Sequence, residues 1–570
     1  MHDELEADTS NDMRTSWAAF HCSLDGRDRP LDTSALLPLF PEEAKSTAMI
    51  RHSMDIVTKA IQYLNAGQVP VITCDQPLYA VAKQIQWYFV DTHGENRLVV
   101  VLGGLHIEMA ALKAVGNWLN GSGWTSAIVQ ANVASAGKAD AFLKASHMSR
   151  TRHAHQITAC ALFILMKRAY EQYLKSKEEN NNQLQSFEDW RNRRITETPL
   201  FQYWSITLDF ELSILLFVRS LREGNFDLYR DALTKLIPWF FALDHTNYAR
   251  WHPVHIRDMM ALPDKHPTVS EAFREGKFVV RKTHHGFSAI PIDQAHEQNN
   301  KCVKGDGGAI GLTENPMQLL RWMISGPEET RVIGEFETSL ELVKRQQGEG
   351  PDYRHHQQVK SVQVTFRNQV RALCDVIEEM GNPFMETSED VLVLDTRDIV
   401  DPRVSDTIRN IQTTGQQQYD DFVDERLKKR TKPLSDTIKQ NRFPLFGTQP
   451  VRNVSKQKQQ ITSLKQNCSL FSKLYISCQV RSGNLEEFFR HENQPCPQSL
   501  SNQGKLRHGT KSDLIGCLEM DDSSVENPEV DAVLLDGAAI VNMLKPGAAR
   551  TFKGHWELIF EPYLKGILQM

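Results

Sequence analysis

Two short apolar runs, each followed by a polar residue and a helical pattern, predict a small α/β core. Residues 69–73 are apolar and mostly β-branched, and Asp75 and Pro77 follow at the start of an amphipathic stretch. Residues 98–102 repeat the apolar run before a Gly-Gly pair and a second amphipathic stretch. Short β-branched runs are typical of buried strands. Two such units in succession predict parallel strands joined by a helix.

Helical periodicity dominates most of the remaining chain. Apolar residues recur every three or four positions through residues 153–260 and again from residue 359 to 377. Gly224 and the Gly-Asn-Pro run at 381–383 are typical helix ends. We therefore expect a helix-rich, mixed α/β fold with a small parallel core and a large helical insertion at about 153–260.

Composition marks the domain boundaries. We expect a loosely ordered segment at 1–69, the α/β core at 70–345, a helical region at 346–425, a basic linker at 426–460 and a C-terminal region at 461–570. Residues 426–458, which include Lys428, Lys429 and Arg430, contain ten Lys or Arg and one acid. Such a segment is either a solvated hinge or a phosphate-binding segment. A last strand-to-helix pattern has Asp536 at the strand end, and we expect it to form an incomplete α/β unit at 530–570.

Overall composition excludes several classes of protein. The chain has 570 residues and a net charge of −6, so nucleic-acid binding would depend on local basic patches. Nine cysteines without a CxxC pair argue against a disulfide framework or a zinc ribbon and favour a reducing intracellular compartment. No signal peptide is visible, and the apolar runs at 159–166 and 212–218 are too short to span a membrane.

Polar side chains at the predicted strand ends are the first candidate site. Asp75 follows the first strand, and His106 and Glu108 follow the second. If the chain is still extended there, His106 and Glu108 point to the same face. Carboxylates at the ends of neighbouring strands can hold a divalent metal ion over a phosphate. Asp75 is equally suited to cap the following helix.

A second candidate lies in the stretch "IPIDQAHEQNN", which looks like a helix start. Asp293 is a natural N-cap, and Glu297 lies one turn further on the same side. Nucleases of the RNase H type take their last acid from such a late helix, and the order of elements here fits that arrangement. The glycine-rich run at 304–313 is either a phosphate-binding loop or a simple turn, since no GK[ST] follows.

Basic and histidine-rich stretches offer weaker candidates. Arg150 and Arg152 precede a predicted helix, where guanidinium groups suit a phosphate, although a solvated helix start is an equal alternative. The three histidines of "DHTNYARWHPVHIRD" are either metal ligands or packed side chains, and no cysteine accompanies them.

Several motifs together resemble a multi-copy family of uncharacterised proteins in cnidarian, echinoderm and fish genomes. They are "DQPLYAVAKQIQW", "GGLHIEMAALKAVGNWL", "SRTRHAHQITACALFIL", "LDHTNYARWHPVHIRDM" and "IPIDQAHEQNN…GDGGAIGLTENP". The first two are similar to a domain of unknown function with motifs of the type GDQLT and GDWHTKM. Where that domain has Asp before a Trp-His pair, this chain has Gly104-Leu105-His106. The resemblance implies a mobile-element origin and a following PIN/FEN-like nuclease region, here truncated, in which Asp536 would be the first metal-binding acid.

These observations lead to one function and one alternative. We expect an intracellular protein, nuclear rather than cytoplasmic, with an ancestral role in metal-dependent cleavage or strand transfer of nucleic acid, with DNA as the expected partner. Asp75, His106, Glu108 and Glu297 would be catalytic, and Asp75, Glu108, Glu297 and Asp536 would bind Mg²⁺ or Mn²⁺. Arg150, Arg152, Lys428, Lys429 and Arg430 would contact the nucleic acid. The alternative is a non-catalytic DNA- or protein-binding scaffold.

Overall fold

The computed structural model divides the chain into two units, residues 1–483 and 484–570. In the first unit it describes residues 16–24, 31–32, 46–178, 184–283, 285–304 and 356–447. In the second it describes positions 486, 490, 501–502, 505–506, 540, 543–545, 547, 549 and 551–568. No helix in these parts of the chain is long and apolar enough to cross a membrane.

The first unit contains the predicted parallel pair of strands. Strand β1 (Val71–Cys74) pairs with β2 (Val99–Leu102), with Val71 opposite Val99 and Cys74 opposite Leu102. The crossover contains α3 (Gln76–Tyr88) and the short α4 (Val90–His93). Helix α5 (Gly104–Leu119) begins directly after β2. Because both crossover and exit helices start at strand ends, their N-termini lie at one edge of this small sheet.

Two helices precede the sheet among the described residues of the segment that was expected to be loosely ordered. They are α1 (Trp17–Leu24) and α2 (Thr47–Leu64). Ser46 caps α2 through a hydrogen bond from the backbone N–H of Met49 to its hydroxyl, and Ile50 and Met54 bury the apolar face. The described part of this segment therefore contains a capped amphipathic helix.

A large helical layer follows, as the periodicity predicted. Its members are α6 (Trp124–Gln130), α7 (Ala136–Leu143), α8 (Met148–Glu178), α9 (Phe187–Glu197), α10 (Pro199–Glu223), α11 (Phe226–Ala242), α12 (Thr246–Lys265) and α13 (Pro267–Arg274). Helix α10 is buried along most of its length and contacts α5, α8, α9 and α11. It ends where Gly224 adopts a left-handed conformation with φ of 64°. The fold is therefore mixed α/β and strongly helical.

The chain then returns to the small sheet. Strands β3 (Val279–Val280) and β4 (Ile290–Pro291) form a short antiparallel pair, and α14 (Ile292–Lys304) follows and packs on α5. Helix α15 (Lys360–Gly381) packs along α8, and α16 (Pro402–Phe422), which continues into a π-helical turn at Val423–Lys428, packs along α11.

The described part of the basic segment lies against the helical layer. Backbone N–H groups of Asn441 and Arg442 donate to the carboxylate of Asp244 at 2.7 and 2.8 Å. The guanidinium of Arg250 donates to the carbonyl of Leu434 at 2.7 Å. These bonds hold residues 429–447 in a defined path along α11 and α12.

The second unit contains only short described elements. They are β5 (Ser501–Asn502), β6 (Lys505–Leu506), α17 (Phe552–His555), a π-helical turn at Trp556–Phe560 and α18 (Glu561–Leu568). The strands pair antiparallel. Asp536 and the strand predicted around it lie outside the described residues.

Candidate functional site

The edge of the sheet where β1 and β2 end carries the N-termini of α3 and α5. Asp75 caps α3, since its Oδ1 accepts a hydrogen bond of 3.0 Å from the N–H of Leu78. Helix α5 has Gly103 at its N-cap position and therefore no capping side chain of its own. The free N–H groups of its first turn need acceptors from elsewhere in the molecule.

Asp293 supplies that missing cap from another helix. Its Oδ1 and Oδ2 accept hydrogen bonds of 3.1 Å from the backbone N–H groups of Leu105 and His106, respectively. The sequence predicted that Asp293 is the N-cap of its own helix. This prediction is wrong, because Asp293 lies inside the first turn of α14. Its carboxylate is 7% exposed and stabilises the positive end of α5 across 187 residues of sequence.

The same carboxylate orients His106. The imidazole Nδ1 donates to Asp293 Oδ2 at 2.9 Å, and the His106 side chain is 27% exposed. The hydrogen bond to Asp293 raises the pKa of His106; burial opposes this rise, and the negative charges of Asp293, Asp75 and Glu297 add to it. Nε2 makes no hydrogen bond within the described part of the chain. This ring nitrogen is therefore available to a ligand.

Glycine at position 103 is required by the approach of Asp293. A Cβ atom on Gly103 would lie 2.3 Å from Asp293 Oδ2, far inside van der Waals contact. The neighbouring Gly104 is also crowded, with its would-be Cβ 3.0 Å from Cβ of Pro291. The Gly-Gly pair thus lets α14 dock on the start of α5.

We expect Gly103→Ala to lower the free energy of unfolding by about 1–3 kcal/mol, because the added methyl group displaces Asp293. Gly137→Ala in α7 is the matched control, since nothing lies within 4 Å of its would-be Cβ. That control is expected to be neutral or slightly stabilising. Chemical denaturation measures both, and equal effects of the two substitutions would contradict the docking role of Gly103.

Three further side chains gather near His106. Asp75 and Glu297 are close enough for their charges to raise the pKa of His106. Glu297 is exposed on α14 and forms no ion pair with any described residue. Tyr248 of α12 faces the same group: burial, followed by the charges of Asp75 and Asp293, raises its pKa to about 12. The structure therefore places Asp75 and Glu297 near His106. Asp293 and Tyr248 lie in the same group, although the sequence did not predict them as site residues.

Glu108 lies elsewhere. Because α5 begins at Gly104, His106 and Glu108 are helical residues about 200° apart around the axis, and the expected shared face is wrong. Glu108 is 1% exposed and accepts from Arg152 Nε and Nη2 at 2.7 and 2.8 Å. The Arg152 guanidinium and the Glu108 carboxylate are therefore engaged with each other. Arg150, in contrast, is exposed.

The histidines of α12 are packed side chains. His252 Nδ1 donates to the carbonyl of Tyr248 at 2.9 Å, and its ring stacks on Phe240 at 4.7 Å. His255 Nε2 lies 2.8 Å from the hydroxyl of Tyr229. Across all described residues, no group of three or more His, Cys, Asp or Glu side chains is arranged to hold a metal ion.

The remaining basic candidates are on the surface. Lys428 and Arg430 are exposed, and Lys429 pairs with Asp424 at 2.6 Å.

The sequence analysis did not predict the docking of Asp293 on α5. One signal could have indicated it: a strand followed by Gly-Gly and a helix without a capping residue needs a cap from a distant segment.

A family model described as a domain of unknown function (DUF8702) matches residues 16–198 and 170–492 of the chain. The two matched segments include β1, β2 and α14, and therefore all the residues around His106. No curated protein and no solved structure matches the chain.

Proposed function

The chain belongs to the family described as a domain of unknown function (DUF8702), and we propose that the site around His106 processes phosphodiester bonds. In this proposal the protein derives from a mobile element and acts on DNA in the nucleus, by metal-dependent cleavage or strand transfer. The observation that carries it is the His106–Asp293 pair, placed where two parallel strands end and two helices begin. Ligands of α/β folds bind at this edge of the sheet.

His106 is suited to act on a phosphate. With Nδ1–H donated to Asp293, Nε2 can carry a proton toward a phosphate oxygen or a leaving oxygen. The raised pKa increases the protonated fraction of the imidazole at neutral pH. Asp293 orients the ring and stabilises its charged form, as a carboxylate partner does for other catalytic histidines.

Asp75 and Glu297 would hold a divalent cation. Asp75 Oδ2 has no hydrogen-bond partner among the described residues, and Glu297 is exposed and unpaired there. Mg²⁺ is commonly bound by one or two carboxylates together with phosphate oxygens, and two carboxylates fit that mode. When bound, Mg²⁺ or Mn²⁺ would polarise the phosphate. Glu108 does not fit, since Arg152 occupies both of its oxygens.

The test is cleavage of end-labelled single- and double-stranded DNA with Mn²⁺, using wild type, Asp75→Asn and His106→Gln. Asparagine keeps the capping oxygen at position 75 and removes the charge. We expect each substitution to slow cleavage roughly 100-fold. The wild-type rate should fall as pH rises through the raised pKa of His106, and His106→Gln should lack this fall.

Asp401→Asn is the matched control, because Asp401 caps α16 through the N–H of Arg403 at 2.9 Å, far along the chain from the site. It should cleave like wild type. Absence of cleavage by wild type, or equal rates for all variants, would overturn the proposal. DNA binding without cleavage would instead favour the second candidate, a DNA-binding scaffold, which the exposed Lys428 and Arg430 support.

A further inference from the structure

A cavity of about 480 Å³ opens between α7, the start of α8 and α15. Its described lining includes Lys138, Phe142, Arg150, His153 and Phe366. Pockets of about 300–1,000 Å³ are the usual size for small-molecule ligands. Its described lining contains none of the residues of the candidate site, which are Asp75, His106, Asp293 and Glu297. The cavity is therefore separate from that site.

Two of the described lining residues are positively charged. Lys138 and Arg150 are exposed, and neither side chain forms an ion pair or hydrogen bond with any described residue. None of the described lining residues is acidic. Arg150 also lies in the first turn of the long helix α8, whose positive end adds to the field. Two uncompensated cations facing one concave surface favour an anion.

Most of the other described lining residues are apolar. Val133, Ala134 and Val362 are half-buried, whereas Phe142 and Phe366 are each 3% exposed and offer almost no ring surface. The His153 ring meets Phe366 edge-on at 5.7 Å, and its Nε2 is fixed by Gln369 Oε1 at 2.9 Å. The half-buried apolar residues, together with the fixed His153 ring, suit a weakly polar organic group.

We propose that this cavity binds an organic phosphate, of which a nucleoside monophosphate is a simple example. Arg150 and Lys138 would bind the phosphate, with the guanidinium able to donate two parallel hydrogen bonds. The half-buried apolar lining would receive the organic part of the ligand. The same chemistry is offered by a free mononucleotide and by the 5′-phosphorylated end of a nucleic-acid strand. Binding here does not require cleavage at His106.

Isothermal titration calorimetry with adenosine 5′-monophosphate, adenosine and inorganic phosphate tests the proposal. The monophosphate should bind more tightly than either part alone. Lys138→Ala/Arg150→Ala should weaken its binding roughly 10-fold or more, since two charge-assisted contacts are lost. Both side chains are exposed, so this variant should fold. Arg409→Ala/Lys439→Ala removes two exposed cations elsewhere and should bind like wild type.

Two further titrations identify the source of the ligand and separate this cavity from the site at His106. A 5′-phosphorylated oligonucleotide that binds more tightly than the monophosphate indicates a strand end, and equal or weaker binding indicates a free nucleotide. His106→Gln should leave both affinities unchanged. The proposal is overturned if neither phosphate ligand binds at millimolar concentration, if the Lys138/Arg150 variant binds like wild type, or if His106→Gln abolishes binding.

Discussion

Replacing Arg152 with alanine is expected to lower the free energy of unfolding by about 3–5 kcal/mol. Glu108 is 1% exposed, and both of its oxygens accept hydrogen bonds from Arg152. Without the guanidinium, the carboxylate would remain buried without its partner, and nothing would offset the cost of its desolvation. Urea unfolding followed by tryptophan fluorescence measures the change.

Arg168→Ala is the matched control for this prediction. Arg168 pairs with Glu378 at 3.0 Å, but the two side chains are 33% and 37% exposed, so its loss should cost at most about 1 kcal/mol. The double variant Glu108→Gln/Arg152→Met should regain part of the stability, because it leaves no buried charge. Similar small losses for Arg152→Ala and Arg168→Ala would show that the Glu108–Arg152 pair is not the strong interaction inferred here.

Acidification is expected to lower the free energy of unfolding by about 4 kcal/mol between pH 6.5 and 4.5 through two histidines alone. Burial lowers the pKa of His252 to about 4 and that of His255, with help from His252 and Lys83, to about 3. In the unfolded chain both titrate near pH 6.5. The unfolded state therefore binds more protons in this window, and stability is present above pH 6.5 and lost as pH falls.

Urea unfolding at a series of pH values measures this loss. His252→Gln should be less stable than wild type at neutral pH, but its stability should depend less on pH by about 2 kcal/mol over the same window. His296→Gln is the control, since His296 is exposed on α14 and should leave the pH dependence unchanged. An unchanged pH dependence in His252→Gln would contradict the burial of a neutral imidazole at this position.

The local features of the fold could be predicted from the sequence. The β-branched runs before Asp75 and before Gly103 form the parallel pair, and Gly224 ends a helix where the periodicity stops. The helix-rich, mixed α/β fold is confirmed. An RNase H-type arrangement and a PIN-like start around Asp536 stay predictions.

The candidate site could be predicted only in part. Asp75 and Glu297 do lie near His106, but Glu108 does not, because the Gly-Gly pair starts a helix at once rather than extending the strand. Nothing in the sequence around α5 says that its capping carboxylate comes from Asp293. That contact depends on how the whole helical layer packs, which local propensities do not encode.

The position of this cap has a consequence for synthesis on the ribosome. Helix α5 leaves the ribosome 187 residues before the carboxylate that completes its N-terminus. Until α14 docks, the His106 ring lacks the partner that orients it, and closing so long a loop is a late, slow event in folding. A nascent or prematurely terminated chain would thus contain both strands and most helices, yet no oriented histidine. The His106–Asp293 pair would form only in chains whose helical layer is already in place.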